Sequence, residues 1–268
     1  MSTGFIGAVG DDAEGKLLQQ DFQKAGVDTS QIKVKPRAKT GSVLCLSDKL
    51  GQRSLHVLPG ANSLLTIDDL DLTYVNRSKI LHLSSFADDH QLKILLELVD
   101  KLESSVKVSF SPGALYATKG LKALSPILSR NHVLFINENE ICQLTGEELK
   151  AGAERCLNQG SHIVVVTLGK RTGHRIVSDV AYIRDAENEY TIESDNRNRI
   201  SAIDTTGAGD AFAAGFLYGL LKEKSLEECG RLGDIVAQFS IVKMGARQGL
   251  PKLSELAQRY QELYNKQL

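Results

Sequence analysis

Asp204-Thr205-Thr206-Gly207-Ala208-Gly209-Asp210-Ala211-Phe212 is the stretch on which the reading of the whole chain turns. Two glycines flank an alanine, and a carboxylate follows at once. Positions without bulk let a backbone come close to a ligand. Behind them, Ala211-Phe212-Ala213-Ala214-Gly215-Phe216-Leu217 is an apolar run that reads as a helix core. A loop leading into a helix start offers unpaired N–H groups and a partial positive charge, which together suit an anion. Asp210, placed at the same turn, suits removal of a proton from a nucleophile that attacks phosphate.

Outward from this point, short apolar runs alternate with amphipathic stretches along the chain. Strands are predicted at Phe5–Val9, Ile80–Leu83, Val106–Phe110, Val133–Ile136 and Ile163–Leu168. Helices are predicted at Ala13–Ala25, His90–Leu102, Leu149–Gln159, Asp210–Lys222, Leu226–Lys243 and Lys252–Asn265. Leu92, Leu95, Leu96, Val99 and Leu102 recur three or four apart, which makes one apolar stripe on a helix. The alternation predicts an α/β fold with a doubly wound, mostly parallel sheet and helices on both faces. One region breaks the rhythm. Gly41–Ser47 and Arg53–Leu58 flank Asp48-Lys49-Leu50-Gly51-Gln52, a predicted hairpin that forms a small second sheet. Ile176–Val180 and Ala181–Arg184 predict a further antiparallel pair at the far edge.

The length of 268 residues suits one large domain, and no repeat or long linker divides residues 1–268. A net charge of −1 argues against bulk binding to nucleic acid or to an anionic membrane. Cys45, Cys142, Cys156 and Cys229 lie far apart, so reduced, buried thiols are expected rather than a zinc cage or redox pair. The histidines show no H-E-x-x-H spacing, which sets aside a zinc hydrolase. Met1-Ser2-Thr3-Gly4 opens no signal-peptide pattern and no apolar run reaches membrane-spanning length. A soluble, cytoplasmic protein is expected. The acidic doublets Asp11-Asp12, Asp68-Asp69 and Asp88-Asp89 read as caps. His82 and Ser84-Ser85-Phe86 end a strand on the ligand side and are candidates to line a substrate pocket.

The glycine cluster has neither G-x-G-x-x-G nor G-x-x-x-x-G-K-[ST] spacing, and it comes late in the chain; a Rossmann oxidoreductase is set aside on both grounds. As a whole, Asp204–Phe212 resembles the C-terminal signature of the ribokinase-type (PfkB) carbohydrate kinase family. Similar family segments are Asn137-Glu138-Asn139-Glu140, Thr167-Leu168-Gly169-Lys170-Arg171-Thr172-Gly173, Lys243–Pro251, Gly7–Gly15 and Gly60-Ala61-Asn62, so the resemblance covers the chain. It implies a ribokinase-like three-layer α/β/α sandwich with a small β-lid at about residues 41–58. It also implies transfer of the γ-phosphate of ATP, with Mg²⁺, to a hydroxyl of a sugar or nucleoside.

Carried over residue by residue, the resemblance makes Asp210 the catalytic base and Gly207, Ala208 and Gly209 the anion hole, with the amides of Ala208, Gly209 and Asp210 as donors. Asn137, Thr167, Gly169, Lys170 and Thr172 fall beside the nucleotide, and Asp234 near the adenine. Glu140 falls at Mg²⁺, through water. Read alone, Asn137–Glu140 is equally a polar helix cap, and Lys170 and Arg171 are equally solvated surface. Asp204 and Thr206, with the backbone around Ser240, Lys243, Gly245 and Gly249, fall at a monovalent-cation loop that would take K⁺; Asp204 is equally a brace for the turn. A homodimer through the lid sheet is a further implication.

The chain departs from the family at its front. Relatives carry a segment ahead of Thr3–Gly7 with the first central strand, part of the lid, a substrate-binding Asp and a Gly-Gly…Asn element. A start placed too late, or a shortened chain, is the expected explanation. Without that strand two neighbouring strands would lack a partner. This motivates an alternative of a different class, a nucleotide-binding regulatory or interaction subunit without transfer activity. The presence of Asp210, Asn137 and Glu140 weighs against it.

Overall fold

The computed structural model describes residues 1–47, 53–86, 88–169, 179–194 and 202–268, in two compact units, Met1–Phe110 and Ser111–Leu268. In the first unit β1 (Gly7–Gly10) leads into α1 (Ala13–Lys24), and β2 (Ile32–Lys35) returns beside β1 in parallel. One carboxylate organises this unit's first turn. Asp12 caps α1 through the Gly15 amide at 2.9 Å and accepts the Thr40 amide at 2.8 Å and the Thr40 hydroxyl. These bonds, led by the Thr40 hydroxyl, hold the Asp12 carboxyl down at about 2. The strand predicted from Phe5 begins at Gly7; Phe5 stacks on Phe22, and its amide bonds the Asp28 carbonyl at 3.0 Å beside an isolated bridge at Gly4.

β3 (Ser42–Ser47) and β4 (Arg53–Leu58) form an antiparallel pair with Val43 opposite Val57, joined to no other strand among the described residues. Then come α2 (Leu72–Asn76), β5 (Ile80–Ser84), α3 (Asp89–Asp100) and β6 (Lys107–Ser111), with β5 beside β6. Asp88 caps α3 through the Gln91 amide at 2.8 Å, and Asp69 closes a capping box on Thr66. The stripe on α3 buries Leu92, Leu95 and Val99, together with Ile94 and Leu98, while Leu96 is half-buried. Among the described residues β1 pairs with β2 alone and β5 ends its sheet, so each keeps one edge without a strand. His82 on β5 is exposed, and its Nδ1 lies 2.9 Å from the Ser109 hydroxyl on β6.

The second unit holds α4 (Gly113–Ala117), α5 (Gly120–Leu128), β7 (Asn131–Asn137), α6 (Glu138–Thr145), α7 (Leu149–Asn158) and β8 (Ile163–Thr167). It continues with β9 (Asp179–Arg184), β10 (Glu189–Glu193), α8 (Ala208–Leu221), α9 (Leu226–Ser240) and α10 (Leu253–Tyr264). β7 and β8 are parallel; β9 runs antiparallel to β8, and β10 to β9. Ile163 to Val166 are all buried, as a strand with partners on both edges requires. The predicted edge pair is corrected. Val180 and Ala181 follow one another within β9, and the turn comes at Asp185, whose Oδ1 accepts the amides of Glu187 and Asn188 at 2.8 and 2.6 Å. That side-chain turn displaces the hairpin toward the C-terminus; residues 176–178 lie outside those described.

The α8 helix buries Ala211, Phe212, Ala213, Gly215, Phe216 and Gly219, and packs its backbone directly on α9. A Cβ on Gly215 would lie 2.6 Å from the Leu232 carbonyl oxygen, and one on Gly233 would lie 2.9 Å from that of Phe212. On its other side α8 meets β7 through an edge-to-face contact of Phe216 with Phe135, centroids 5.4 Å apart. Gly215→Val should therefore destabilise the protein by about 3 kcal/mol, whereas Ala214→Val at the adjoining exposed site stays within about 0.5 kcal/mol. Denaturant midpoints measure both; equal midpoints would show that the seam tolerates bulk.

Candidate active site

Asn137 and Thr167 are the last residues of two parallel strands and pair in register, so they stand side by side at the carboxyl ends. That is where open α/β sheets gather ligands. Asn137 also caps α6. Its Oδ1 accepts the Glu140 amide at 2.9 Å, while Glu140 Oε2 accepts the Asn137 amide at 3.1 Å. The N-x-x-E element is thus a reciprocal capping box, and the helix-cap reading of these residues holds in the structure. Glu140 is half-buried, and burial pushes its carboxyl above the ordinary range against the pull of the Asn137 bonds. Gly169, two residues past Thr167, has open space where a Cβ would stand, which leaves its backbone approachable. Lys170 and Thr172 lie outside the described residues.

The anion turn is built by contact rather than by sequence spacing alone. Gly207 caps α8 with φ 79°, a left-handed conformation, and a Cβ there would lie 2.8 Å from Ala246 Cβ. The Ala208 amide bonds the Thr205 carbonyl at 3.2 Å, and the Ala211 amide bonds that of Gly207 at 2.8 Å. Among the described residues no backbone carbonyl accepts from Gly209 or Asp210, and both are exposed. Of the three amides expected as donors, that of Ala208 thus has a backbone partner in Thr205, and those of Gly209 and Asp210 have none among the described residues. The Asp210 side chain stands in the same first turn.

Asp204 holds this turn from behind. Its Oδ1 accepts the Thr206 amide and its Oδ2 the Gly245 amide, both at 2.9 Å. The amides of Ile203 and Asp204 bond the Ile241 carbonyl at 2.8 and 3.2 Å. The loop ahead of α8 is thus tied to the segment that follows α9. Asp234 on α9 is 4% exposed, and its Oδ2 accepts from Gln238 Nε2 at 2.6 Å. Ala246 and Gln238 escaped the sequence reading. Ala246 carries no signal of its own, since its smallness matters only because Gly207 sits against it.

Among the described residues no three His, Cys, Asp or Glu side chains gather as a metal cage, and no helix is long and apolar enough to cross a membrane. Residues 1–253 match the pfkB family carbohydrate kinase. The chain belongs to this family. It is 38% identical over 252 residues to an uncharacterized sugar kinase of Archaeoglobus fulgidus, a match covering 94% of this chain and 96% of that protein. It is 27% identical to a ribokinase of Haemophilus influenzae, over 94% of this chain and 79% of that one. Among solved structures it resembles a ribokinase of Thermotoga maritima, with TM-score 0.78, 25% identity, and 94% and 79% of the two chains covered. A putative ribokinase II of E. coli in complex with ATP and Mg²⁺ shares the fold, with TM-score 0.84, 20% identity, and 98% and 84% covered.

The fold is ribokinase-like α/β, and the family is one of kinases that move a phosphoryl group from ATP to a hydroxyl of a sugar or nucleoside. None of these likenesses supports a regulatory subunit without transfer activity. The geometry of the anion turn makes a sharp distinction between its two glycines. Gly207→Ala should destabilise the kinase by about 1–2 kcal/mol, through both the left-handed backbone and Ala246, while Gly209→Ala leaves stability unchanged. Thermal unfolding of the two variants, with Ala246→Gly added to the first, checks this. No recovery in the double variant would remove the Ala246 contact from the account.

Proposed function

We propose that Asp210 is the base of the phosphotransfer and that the first-turn amides of Gly209 and Asp210 hold the phosphoryl oxygens. The observation that carries the reading is an exposed carboxylate on the same helix turn as two amides that no backbone carbonyl engages. Asp210 takes the proton from the acceptor hydroxyl as that oxygen bonds to the γ-phosphorus. The bond from the γ-phosphorus to the bridging oxygen breaks, and ADP leaves with the electron pair. The two amides meet the negative charge that grows on the transferred oxygens. A helix N-terminus adds a favourable field there.

Asn137, Thr167 and Gly169 hold the nucleotide in this reading, with Lys170 and Thr172 in the same set. Asp234 acts near the adenine by fixing Gln238. Glu140 suits Mg²⁺, because a half-buried carboxylate beside phosphates serves a hard cation that keeps most of its waters. Mg²⁺, when bound, offsets the charge of the phosphates. Asp204 braces the turn through its two amide bonds, and K⁺ near Asp204 and Thr206 reinforces the same turn. Asp210→Asn should lower kcat by about 10²–10⁴-fold with KM for ATP within about twofold. Turnover within tenfold of the parent would dismiss Asp210 as the base. Replacement of Na⁺ by K⁺ is expected to raise kcat, and equal rates in the two salts would leave Asp204 as a brace alone.

The β3–β4 hairpin exposes Val43, Leu44, Leu46, Val57 and Leu58, apolar residues on both of its faces. A lone two-stranded ribbon is marginal in water, so a second copy is the partner we assign to it. Sedimentation equilibrium is the test: a monomer at micromolar concentration would overturn the assignment. A cytoplasmic setting fits four free cysteines: Cys156 and Cys229 are buried as expected, with thiols pushed up to about 12 by burial, whereas Cys45 and Cys142 are exposed, against the expected burial. Recovery of the protein in an extracytoplasmic fraction would contradict it.

A further inference from the structure

The charge at the anion turn has the wrong sign for phosphate. A helix N-terminus is equivalent to about half a positive charge, and the open amides of Gly209 and Asp210 are already counted in it. The Asp210 carboxylate, in that same first turn of α8, brings a full negative one. By itself the turn therefore repels a phosphate chain more than it attracts one. A cation supplied by the protein is called for, and the segment that closes on the turn carries one.

That segment follows α9 and is pinned on both sides of Arg247. Ahead of it, the Gly245 amide donates to Asp204 Oδ2 at 2.9 Å, and Gly245 takes φ 85°. Ala246 lies against the α8 cap, since a Cβ on Gly207 would stand 3.2 Å from Ala246 Cα. Behind it, the Leu250 amide donates to the Arg247 carbonyl at 3.3 Å, and Gly249 is pressed on the Phe239 carbonyl with no room for a Cβ. Arg247 itself is exposed. One residue on from Ala246, its Cα starts within about 9 Å of Gly207 Cα, and five side-chain bonds carry a guanidinium roughly 6 Å further. The Gly209 and Asp210 amides begin about 3–5 Å along α8 from the cap. A phosphate seated on that turn is within reach of Arg247.

We infer that Arg247 is a phosphate-binding residue, whose guanidinium takes the outer phosphoryl oxygens of the donor at the anion turn. A guanidinium is planar and presents two parallel N–H groups to a phosphate, which an ammonium does not. Its charge also offsets the repulsion between the donor and Asp210. The inference rests on the phosphotransfer reading for the place of the phosphates, and goes beyond it in assigning a cation to them. No local pattern singles out Arg247; its place follows from the contact of Ala246 with Gly207.

The test is equilibrium binding by calorimetry, to the full chain without an acceptor, of ATP with Mg²⁺, inorganic triphosphate and AMP. Arg247→Ala and Arg247→Gln should each weaken ATP and triphosphate by about tenfold or more and leave AMP within about twofold. Added salt should narrow the gap between parent and variant, as it does for a charge contact and not for a packing defect. Gln248→Ala, next along the same loop, should bind all three as the parent does. Unchanged melting temperatures show that the variants fold, and either Arg247 variant alone decides if the other does not. The inference is overturned if both variants bind ATP as the parent does, if AMP is lost as much as ATP, if Gln248→Ala weakens ATP equally, or if the parent binds neither ATP nor triphosphate. Weakened ATP in Arg247→Ala, with full turnover in Asp210→Asn, would count against the Asp210 mechanism alone. Unchanged ATP in Arg247→Ala, with turnover lost in Asp210→Asn, would count against Arg247 alone.

Discussion

The second unit depends on the close approach of α8 to α9. Gly215 and Gly219 on one helix and Gly233 on the other bring parts of the two backbones within reach of each other, while Gly230 faces Ile183 and Ile192 of the sheet instead. A contact of this kind is made of many weak dispersion terms and has almost no slack, because a single added carbon has nowhere to go. It follows that the N-terminus of α8 stands where α9 places it. The loop after α9 then closes on the same turn, through Gly245 to the Asp204 carboxylate and through Ala246 to Gly207. A rigid turn keeps its amides aimed before any charge arrives, which is the condition under which such donors stabilise a transition state.

Residues to which the proposed chemistry is assigned in this unit also carry structure. Asn137 and Glu140 close a capping box on α6 while standing at the end of β7. Asp204 satisfies two loop amides that would otherwise lack partners. The economy has a physical basis. A functional side chain must be held in one orientation, and a hydrogen bond to the nearby backbone holds it without enlarging the site. Asp210 is the exception, since its carboxylate is exposed and it caps nothing, as suits a group that must meet a substrate.

The first unit is organised differently. Asp12 ties the start of α1 to Thr40, and Lys35 pairs with half-buried Asp69 at 2.6 Å. Around these fixed points lie open features: the apolar β3–β4 pair, edges of β1 and β5 that meet no strand among the described residues, and a small cavity bordered by Ser85, Phe86 and Gln91. Exposed apolar ribbons and strand edges attract other polypeptide, whereas a small polar cavity admits only a small molecule.

Much of this was legible in the amino-acid order because it depends on local chemistry. Period and composition placed the β8 run Ile163–Val166 and the helices at Ala13, Leu149 and Leu226, whose starts agree with the structure. The run Asp204–Phe212 marked a tight turn at a helix start, since glycine, carboxylate and apolar positions each impose their own backbone. The β9–β10 hairpin was misplaced because Asp185 makes its turn with a side-chain bond that alternation does not register. Only the tertiary structure decided that the Ala208 amide bonds Thr205, that Ala246 bounds Gly207, and that Ser85 and Phe86 border a cavity while His82 lies against Ser109. Those facts belong to pairs of residues far apart in the chain. A sequence states what each residue favours locally, and the approach of distant segments, set by the packing of the whole core, selects which of those preferences meet.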